Sequence, residues 1–355
     1  MKKIRLAFIG AGFNGQIGHL NSFKKIKNCE FTALAEYRDK LRFLIKKKYR
    51  FLRVYKSHEE LLTNEKNIDG IIIVTKRTMT APIAFEVVKK KINVFTEKPM
   101  ASTFLQSKKI SNLAKKNKII YKIGFNKIFD PVIFKAKKIF DSMQITKDLG
   151  KLVMIKSHRL SGSGYPDKPN YIETFEKNVK SDPSWPGSPT WLKKKFKKDY
   201  EKYLNLYSHN INMLRFFLGN NLNIKFSDLD DKYISTVILK YRKKIPVLLT
   251  TAFFTKNGWD DYLQFFYEKG YMKISFPPQH IPGKFTICEI ERSAVGKKNI
   301  IFKNNKTWSF DLQAKDFIKN IRQKKIKYNN AQDVTNDMLM IENIWKKYIN
   351  KSNSK

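Results

Sequence analysis

The apolar positions of the N-terminal half change period in a regular alternation. Residues 3–9, KIRLAFI, form a short run that reads as a buried strand. After GAGFNG, the segment QIGHLNSFKKI carries Ile17, Leu20 and Phe23 along one side of a helix. FTALAE reads as a second strand ending at Glu36, followed by helical spacing in RDKLRFLIKKKY. Ser57 and Glu60 make a capping box ahead of the next helix. The fully apolar strand GIIIVT (70–75) is followed by helix APIAFEVVKKK (81–91), and NVFT (93–96) by helix TFLQSKKISNLAKKN (103–117) and strand IIYKIGF (119–125). Strands alternating with helices imply a doubly wound parallel sheet.

After a helix near 131–146 the texture changes. KLVMIKSHRL, DKYISTVILKY, IPVLLTTAFF, DYLQFFYEK and YMKISF read as strands, most without helices between them, and so as a large, mostly antiparallel sheet. Val247, Leu249 and Phe253 alternate with Leu248, Ala252 and Phe254, so both faces are apolar and need covers: a helix on one face and a second copy of the chain on the other. Two amphipathic patterns, LQAKDFIKNIRQKK and DVTNDMLMIENIWKKYI, close the chain as helices that can pack back on the first domain. The expected division is a dinucleotide-binding domain over residues 1–128 and an α+β domain for substrate and oligomerisation over 129–355.

Gly10, Gly12 and Gly15 set G-x-G-x-x-G between a predicted strand and a predicted helix. The first glycine permits the tight turn, the second admits a pyrophosphate, and the third lets helix and strand approach. Glu36 stands 21 residues beyond Gly15 at a strand end, where a carboxylate accepts hydrogen bonds from ribose hydroxyls. Its charge repels a 2′-phosphate and favours NAD over NADP, while Arg38, two residues on, works the other way. At the end of NVFT, Lys98 is placed where an ammonium could stabilise alkoxide character at a reacting hydroxyl, aimed by the backbone constraint of Pro99. The tripeptide alone reads more readily as one surface lysine among many. In YLNLYSHNINMLRFFLG (203–219), Asn205 and His209 are four residues apart and share a helix face. A histidine seen only in sequence is more often a core or surface residue, and His19, His58, His158 and His280 are assigned to that group.

Composition narrows the class. The 355 residues are 42% hydrophobic, enough for two globular cores, and no stretch approaches the roughly 18 uninterrupted apolar residues of a membrane span. Cys29 and Cys288 form neither a disulfide framework nor a metal-type pair, so no metal is expected and a reducing cytoplasm is the simplest location. MKKIRLAFIG imitates a signal peptide but lacks a cleavage-like site and reads as the first strand. The formal charge of +40 would suit a polyanion, yet the lysines fall on nearly every segment and no nucleic-acid-reading motif accompanies them; biased composition explains it better than a nucleic-acid footprint.

Taken together, GAGFNG, EKPMA, GFNKIFDP, SHNINMLRFFLG, DDYLQFFYEKGYMKISFP and KDFIKNIRQKK resemble the Gfo/Idh/MocA oxidoreductases over nearly the whole chain. The resemblance implies an N-terminal Rossmann domain, a C-terminal α/β domain built on a large open sheet, and NAD(P)-dependent hydride transfer at a carbinol or ketone of a sugar, sugar nucleotide or cyclic polyol. It makes Glu97, Lys98 and Pro99 the family's E-K-P motif, with Lys98 catalytic, and His209 its acid/base histidine. It places the cofactor on Gly10, Gly12, Phe13, Asn14, Gly15, Glu36, Arg38, Thr75, Glu97 and Lys98. The substrate falls to Lys98, Asn126, Asn205 and His209, with Trp185 and Trp191 offered as faces for a sugar ring. Three departures stand out: Asn205 and Asn212 replace aspartates common in the family, and TKRTMT puts Lys76 and Thr80 where T-P-x-x-x-H is frequent. These leave open a non-catalytic NAD-binding sensor of the same fold, or redox-neutral chemistry with NAD permanently bound.

Overall fold

A computed structural model describes residues 2–162, 170–176, 185–229, 234–255, 258–281, 283–293, 299–304 and 307–352. The chain divides into two compact units, Met1–Phe125 with Pro169–Leu206 and Phe310–Leu339, and Asn126–Lys168 with Tyr207–Ser309 and Met340–Lys355.

The first unit opens with β1 (Ile4–Ile9), a π-helical stretch Gly15–Leu20 running into α1 (Asn21–Lys24), β2 (Cys29–Ala35) and α2 (Asp39–Tyr49). Then come β3 (Arg53–Tyr55), α3 (His58–Asn64), β4 (Gly70–Ile73), α4 (Arg77–Lys89), β5 (Asn93–Thr96), α5 (Phe104–Lys116) and β6 (Tyr121–Ile123). The six strands are parallel in the order β3-β2-β1-β4-β5-β6, the doubly wound arrangement expected. Apolar residues fill both faces, because each strand is covered twice. Leu6, Phe8 and Phe95 lie among the residues on one side, and Ile71, Ile73 and Val94 on the other. Ser57 caps α3 by accepting the Glu60 N–H, and the Glu60 carboxylate reaches back to the Lys56 N–H. Helix α4 starts four residues before the expected position 81, which leaves Pro82 inside the helix and Lys76 as its N-cap.

The second unit begins with a 3₁₀ turn at Asn126–Phe129 and α6 (Pro131–Thr146). Asp130 caps α6, accepting the Val132 N–H at 2.9 Å, with proline in the first turn where its missing donor costs nothing. Asp130→Ala should cost about 1 kcal/mol, the usual worth of such a cap, read as a lower Tm. The strands are β7 (Leu152–Gly162), β8 (Leu222–Asp228), β9 (Ile234–Tyr241), β10 (Ile245–Thr255), β11 (Trp259–Tyr267), β12 (Gly270–Ser275), β13 (Ile287–Arg292) and β14 (Ile300–Lys303). The expected beginning of β9, Asp231–Tyr233, lies outside the described residues, as does the side chain of Phe254. Their order is β14-β13-β12-β11-β7-β10-β9-β8, antiparallel except for the β7–β10 pair. One face is buried: Phe265 of β11 meets Phe140 at 4.7 Å and Phe217 at 5.2 Å between ring centroids. On the other face Leu248, Phe266 and Met154 are only half-buried.

Three helices complete the chain. Helix α7 (Lys197–Leu218) carries Asn205 and His209, α8 is Ser309–Gln323, and α9 is Ala331–Ser352. Within the first unit α8 lies on the parallel sheet, with Phe317 against Phe23 and Phe95 and with Asp316 paired to the fully buried Lys122. Among the described residues no helix is long and apolar enough to cross a membrane.

Candidate cofactor and catalytic site

In the first unit a cavity of about 570 Å³ opens at the C-terminal ends of β1, β2, β4 and β5. This is where the strand order reverses and where ligands collect in open parallel sheets. Its floor is the glycine turn. Gly10 adopts φ +88°, and a Cβ there would stand 2.3 Å from the Val74 carbonyl oxygen, so no other residue fits. A Cβ on Gly15 would lie 3.2 Å from the Gly10 oxygen, the close approach of turn and helix that the spacing implies. At Gly12 the nearest atom to a Cβ is Arg38 Nη2 at 3.9 Å, so bare backbone faces the cavity. Phe13, Asn14 and Thr75 also line it.

Glu36 follows β2 and is 3% exposed. Its Oε2 accepts the Ala11 N–H at 2.9 Å, which locks it to the turn. Arg38 forks onto it, Nε to Oε1 at 2.9 Å and Nη2 to Oε2 at 3.0 Å. The Glu36 carboxylate thus stands beside the glycine turn with its charge shared with Arg38. A bare turn backbone, an open crevice and a carboxylate beside it fit a dinucleotide.

Glu97 and Lys98 line the cavity at the end of β5. The Lys98–Pro99 peptide is cis. Lys98 Nζ donates to the Asn205 backbone carbonyl at 2.9 Å and lies 3.4 Å from its Oδ1, so the asparagine on α7 fixes the ammonium. Glu97 uses both oxygens: Oε1 meets His19 Nε2 at 2.7 Å, and Oε2 accepts the Lys98 N–H at 3.0 Å. The His19 ring is wedged edge-on between Phe95 and Phe310. Sequence reasoning left His19 without a role; its place four residues past Gly15 held no sign that it would reach residue 97.

His209 follows Asn205 by four residues on α7 and is 7% exposed. Asn126, in the second unit, is 1% exposed and donates to Ser309 Oγ at 3.1 Å. Neither tryptophan lines the cavity. Trp185 packs on Phe85 at 5.3 Å, with the Lys109 ammonium 5.1 Å from its ring, while Trp191 is 36% exposed. Lys76 and Thr80 do line the cavity, as do Tyr37, Lys56, Ser57, His58, Arg77 and Met79, to which the sequence reading gave no place in the site. Burial holds the His58 imidazole below its ordinary pKa, against the opposing pull of Glu59 and Glu86. Arg77 is tied to Glu201 by two hydrogen bonds.

These features define an NAD-binding Rossmann unit. Residues 4–125 match the model of the oxidoreductase family with an NAD-binding Rossmann fold. Myo-inositol 2-dehydrogenase of Thermotoga maritima is 28% identical over 145 residues, which is 41% of this chain and 42% of that protein. The scyllo-inositol 2-dehydrogenase (NAD(+)) of Bacillus subtilis is 25% identical over 149 residues, 41% and 43% of the two chains. The chain thus spans about two fifths of the length of these relatives. Over the whole fold, 98% of each chain superposes on a 3-ketoreductase of Actinomadura kijaniata solved with NADP and TDP-benzene, with a TM-score of 0.75 and 14% identity. Levoglucosan dehydrogenase in complex with NADH and levoglucosan covers 98% of each chain at a TM-score of 0.74 and 14% identity.

Proposed function

We propose that the protein is an NAD-dependent dehydrogenase acting on a CH–OH group of a sugar, sugar nucleotide or cyclic polyol. The observation that carries the reading is Lys98, a cation held by the Asn205 carbonyl at the end of β5, on the wall of the dinucleotide cavity. NAD, when bound, supplies the hydride acceptor. Lys98 donates a hydrogen bond to the reacting oxygen and stabilises its developing charge. His209, neutral, takes the hydroxyl proton, and Asn205 orients these groups without ionising. Asn126 belongs to the substrate side in this reading. The inositol and levoglucosan named for a relative and a neighbour, and the TDP-benzene bound to the 3-ketoreductase, support the substrate class. A cofactor-reduction screen across sugars, polyols and nucleotide sugars, with mass spectrometry of the protein as purified, tests it. Tight NAD binding without turnover on any of them would replace it with a sensor, and stoichiometric copurifying NAD with redox-neutral turnover would make the cofactor an internal carrier.

NAD should be preferred to NADP, because Glu36 faces any 2′-phosphate. In Glu36→Ser the Arg38 fork is released from its carboxylate, and the ratio of kcat/KM for NADP to that for NAD should rise about tenfold or more. A parent protein that already uses NADP equally well would show that Arg38 dominates. The half-exposed face of the eight-stranded sheet, with Leu248, Phe266 and Ile238, is proposed to pair with a second copy of the chain, and a cytoplasmic location is proposed with it.

A further inference from the structure

Residues 170–176, far along the chain, lie within the first unit across the glycine turn and the start of α2. Three contacts hold them there. The Gln16 amide pairs with both backbone groups of Ile172, accepting its N–H at 2.9 Å and donating to its carbonyl at 2.8 Å, while also donating to the Ala11 carbonyl at 3.0 Å. The Tyr171 ring meets Phe13 of the turn edge-on at 5.1 Å. Glu176 then places its carboxylate on the first turn of α2, accepting the Lys40 N–H at 2.8 Å and the Leu41 N–H at 3.0 Å, with Thr174 Oγ1 donating at 2.8 Å.

The N-cap of α2 is Arg38, whose guanidinium offers donors only and so cannot accept a helix amide; it is forked onto Glu36 instead. Glu176 supplies the missing cap from 136 residues away. It also adds a second negative charge near a guanidinium already forked onto Glu36. Burial pushes the Glu176 carboxyl up, but the two amides, Thr174 and Arg38 outweigh it and leave it below the ordinary value. The adenosine 2′-phosphate of NADP is accommodated by an arginine just beyond the second strand, and helix N-terminal amides are natural partners for such an anion. Here both kinds of donor already face a carboxylate of the protein's own.

We propose that Glu176 is a second determinant of cofactor choice: by occupying the Lys40 and Leu41 amides beside Arg38 it excludes a 2′-phosphate, so that discrimination against NADP rests on Glu36 and Glu176 together. The inference rests on the reading of the cavity as an NAD site. It gives the segment 170–176 a function beyond packing, and it assigns the repulsive element of specificity to a residue outside the dinucleotide fingerprint.

The test is calorimetric titration of the full chain with 5′-AMP and with adenosine 2′,5′-bisphosphate, at one ionic strength, for the parent, Glu176→Gln and Glu173→Gln. The two variants remove the same charge from the same segment, but Glu173 is exposed. Comparing the two ligands within each variant cancels any general loosening of the turn. Glu176→Gln should tighten the bisphosphate relative to AMP about tenfold, the scale of removing one like charge close to a phosphate, while Glu173→Gln shifts the ratio less than twofold. Glu176→Asp, keeping the charge, should stay near the parent. An unchanged ratio in Glu176→Gln, or an equal gain in Glu173→Gln, overturns the role of Glu176 and leaves the NAD site standing. A parent chain that binds neither ligand, or prefers the bisphosphate, overturns both.

Discussion

Lys98→Ala should lower kcat by on the order of a hundredfold or more while the Kd for NAD changes by only a few fold. That is the scale seen when a preorganised donor to a developing oxyanion is removed. The asymmetry follows from placement. Lys98 stands on the cavity wall at the end of β5, whereas in the proposed site the turn of Gly10, Gly12 and Gly15 and the Glu36 carboxylate would hold the other end of the dinucleotide. An interaction realised mainly as charge develops on the substrate oxygen appears in kcat and kcat/KM together, not in cofactor affinity. The ammonium is already oriented by the Asn205 carbonyl at 2.9 Å, so little reorganisation is needed when charge appears. Steady-state kinetics on the best substrate from the screen, paired with titration of NAD against the variant, reads both quantities. Unchanged turnover would return Lys98 to the many surface lysines of a chain with a formal charge of +40.

Much of this site was legible because its chemistry is local. The glycine turn, Glu36 at a strand end, and the Glu97-Lys98-Pro99 corner each depend on a few consecutive residues whose conformation the flanking apolar runs dictate. The strands that were missed share a different property. β3 is an edge of the parallel sheet, and β14, β13 and β8 lie at or next to the edges of the larger one. An edge strand is covered by fewer neighbours, so its sequence keeps charges and loses the apolar run that marks a central strand: β13 reads ICEIER and β8 reads LNIKFSD. Contacts across long separations were invisible for a plainer reason. Gln16 gives no sign of Ile172, 156 residues away, nor His19 of Glu97, 78 residues away, because no local period couples them. The two tryptophans show the converse, since a ring in a loop advertises stacking without saying on what, and Trp185 takes Phe85.

His209→Ala should cost roughly 10²–10⁴ in kcat, the range for loss of a positioned general base, and the neighbouring asparagine sets how that base depends on pH. Asn205 precedes His209 by one turn of α7, so the two share a helix face. An amide there can orient an imidazole but supplies no negative charge to favour imidazolium, as a carboxylate would. A general base must be neutral to accept a proton, and activity should therefore fall on the acidic side as His209 becomes charged. Asn205→Asp adds the missing charge and should move the acidic limb of log(kcat/KM) to higher pH. Because Asn205 Oδ1 also stands 3.4 Å from Lys98 Nζ, the new carboxylate would pair with that ammonium, and part of its field would be neutralised before it reaches the imidazole. The double variant Lys98→Met with Asn205→Asp, slower overall, should accordingly show the larger displacement of the limb. If Asn205 instead binds substrate, Asn205→Asp would raise KM and leave the limb where it is. A limb that stays fixed or moves to lower pH, with His209→Ala still active, would remove His209 from the role of base.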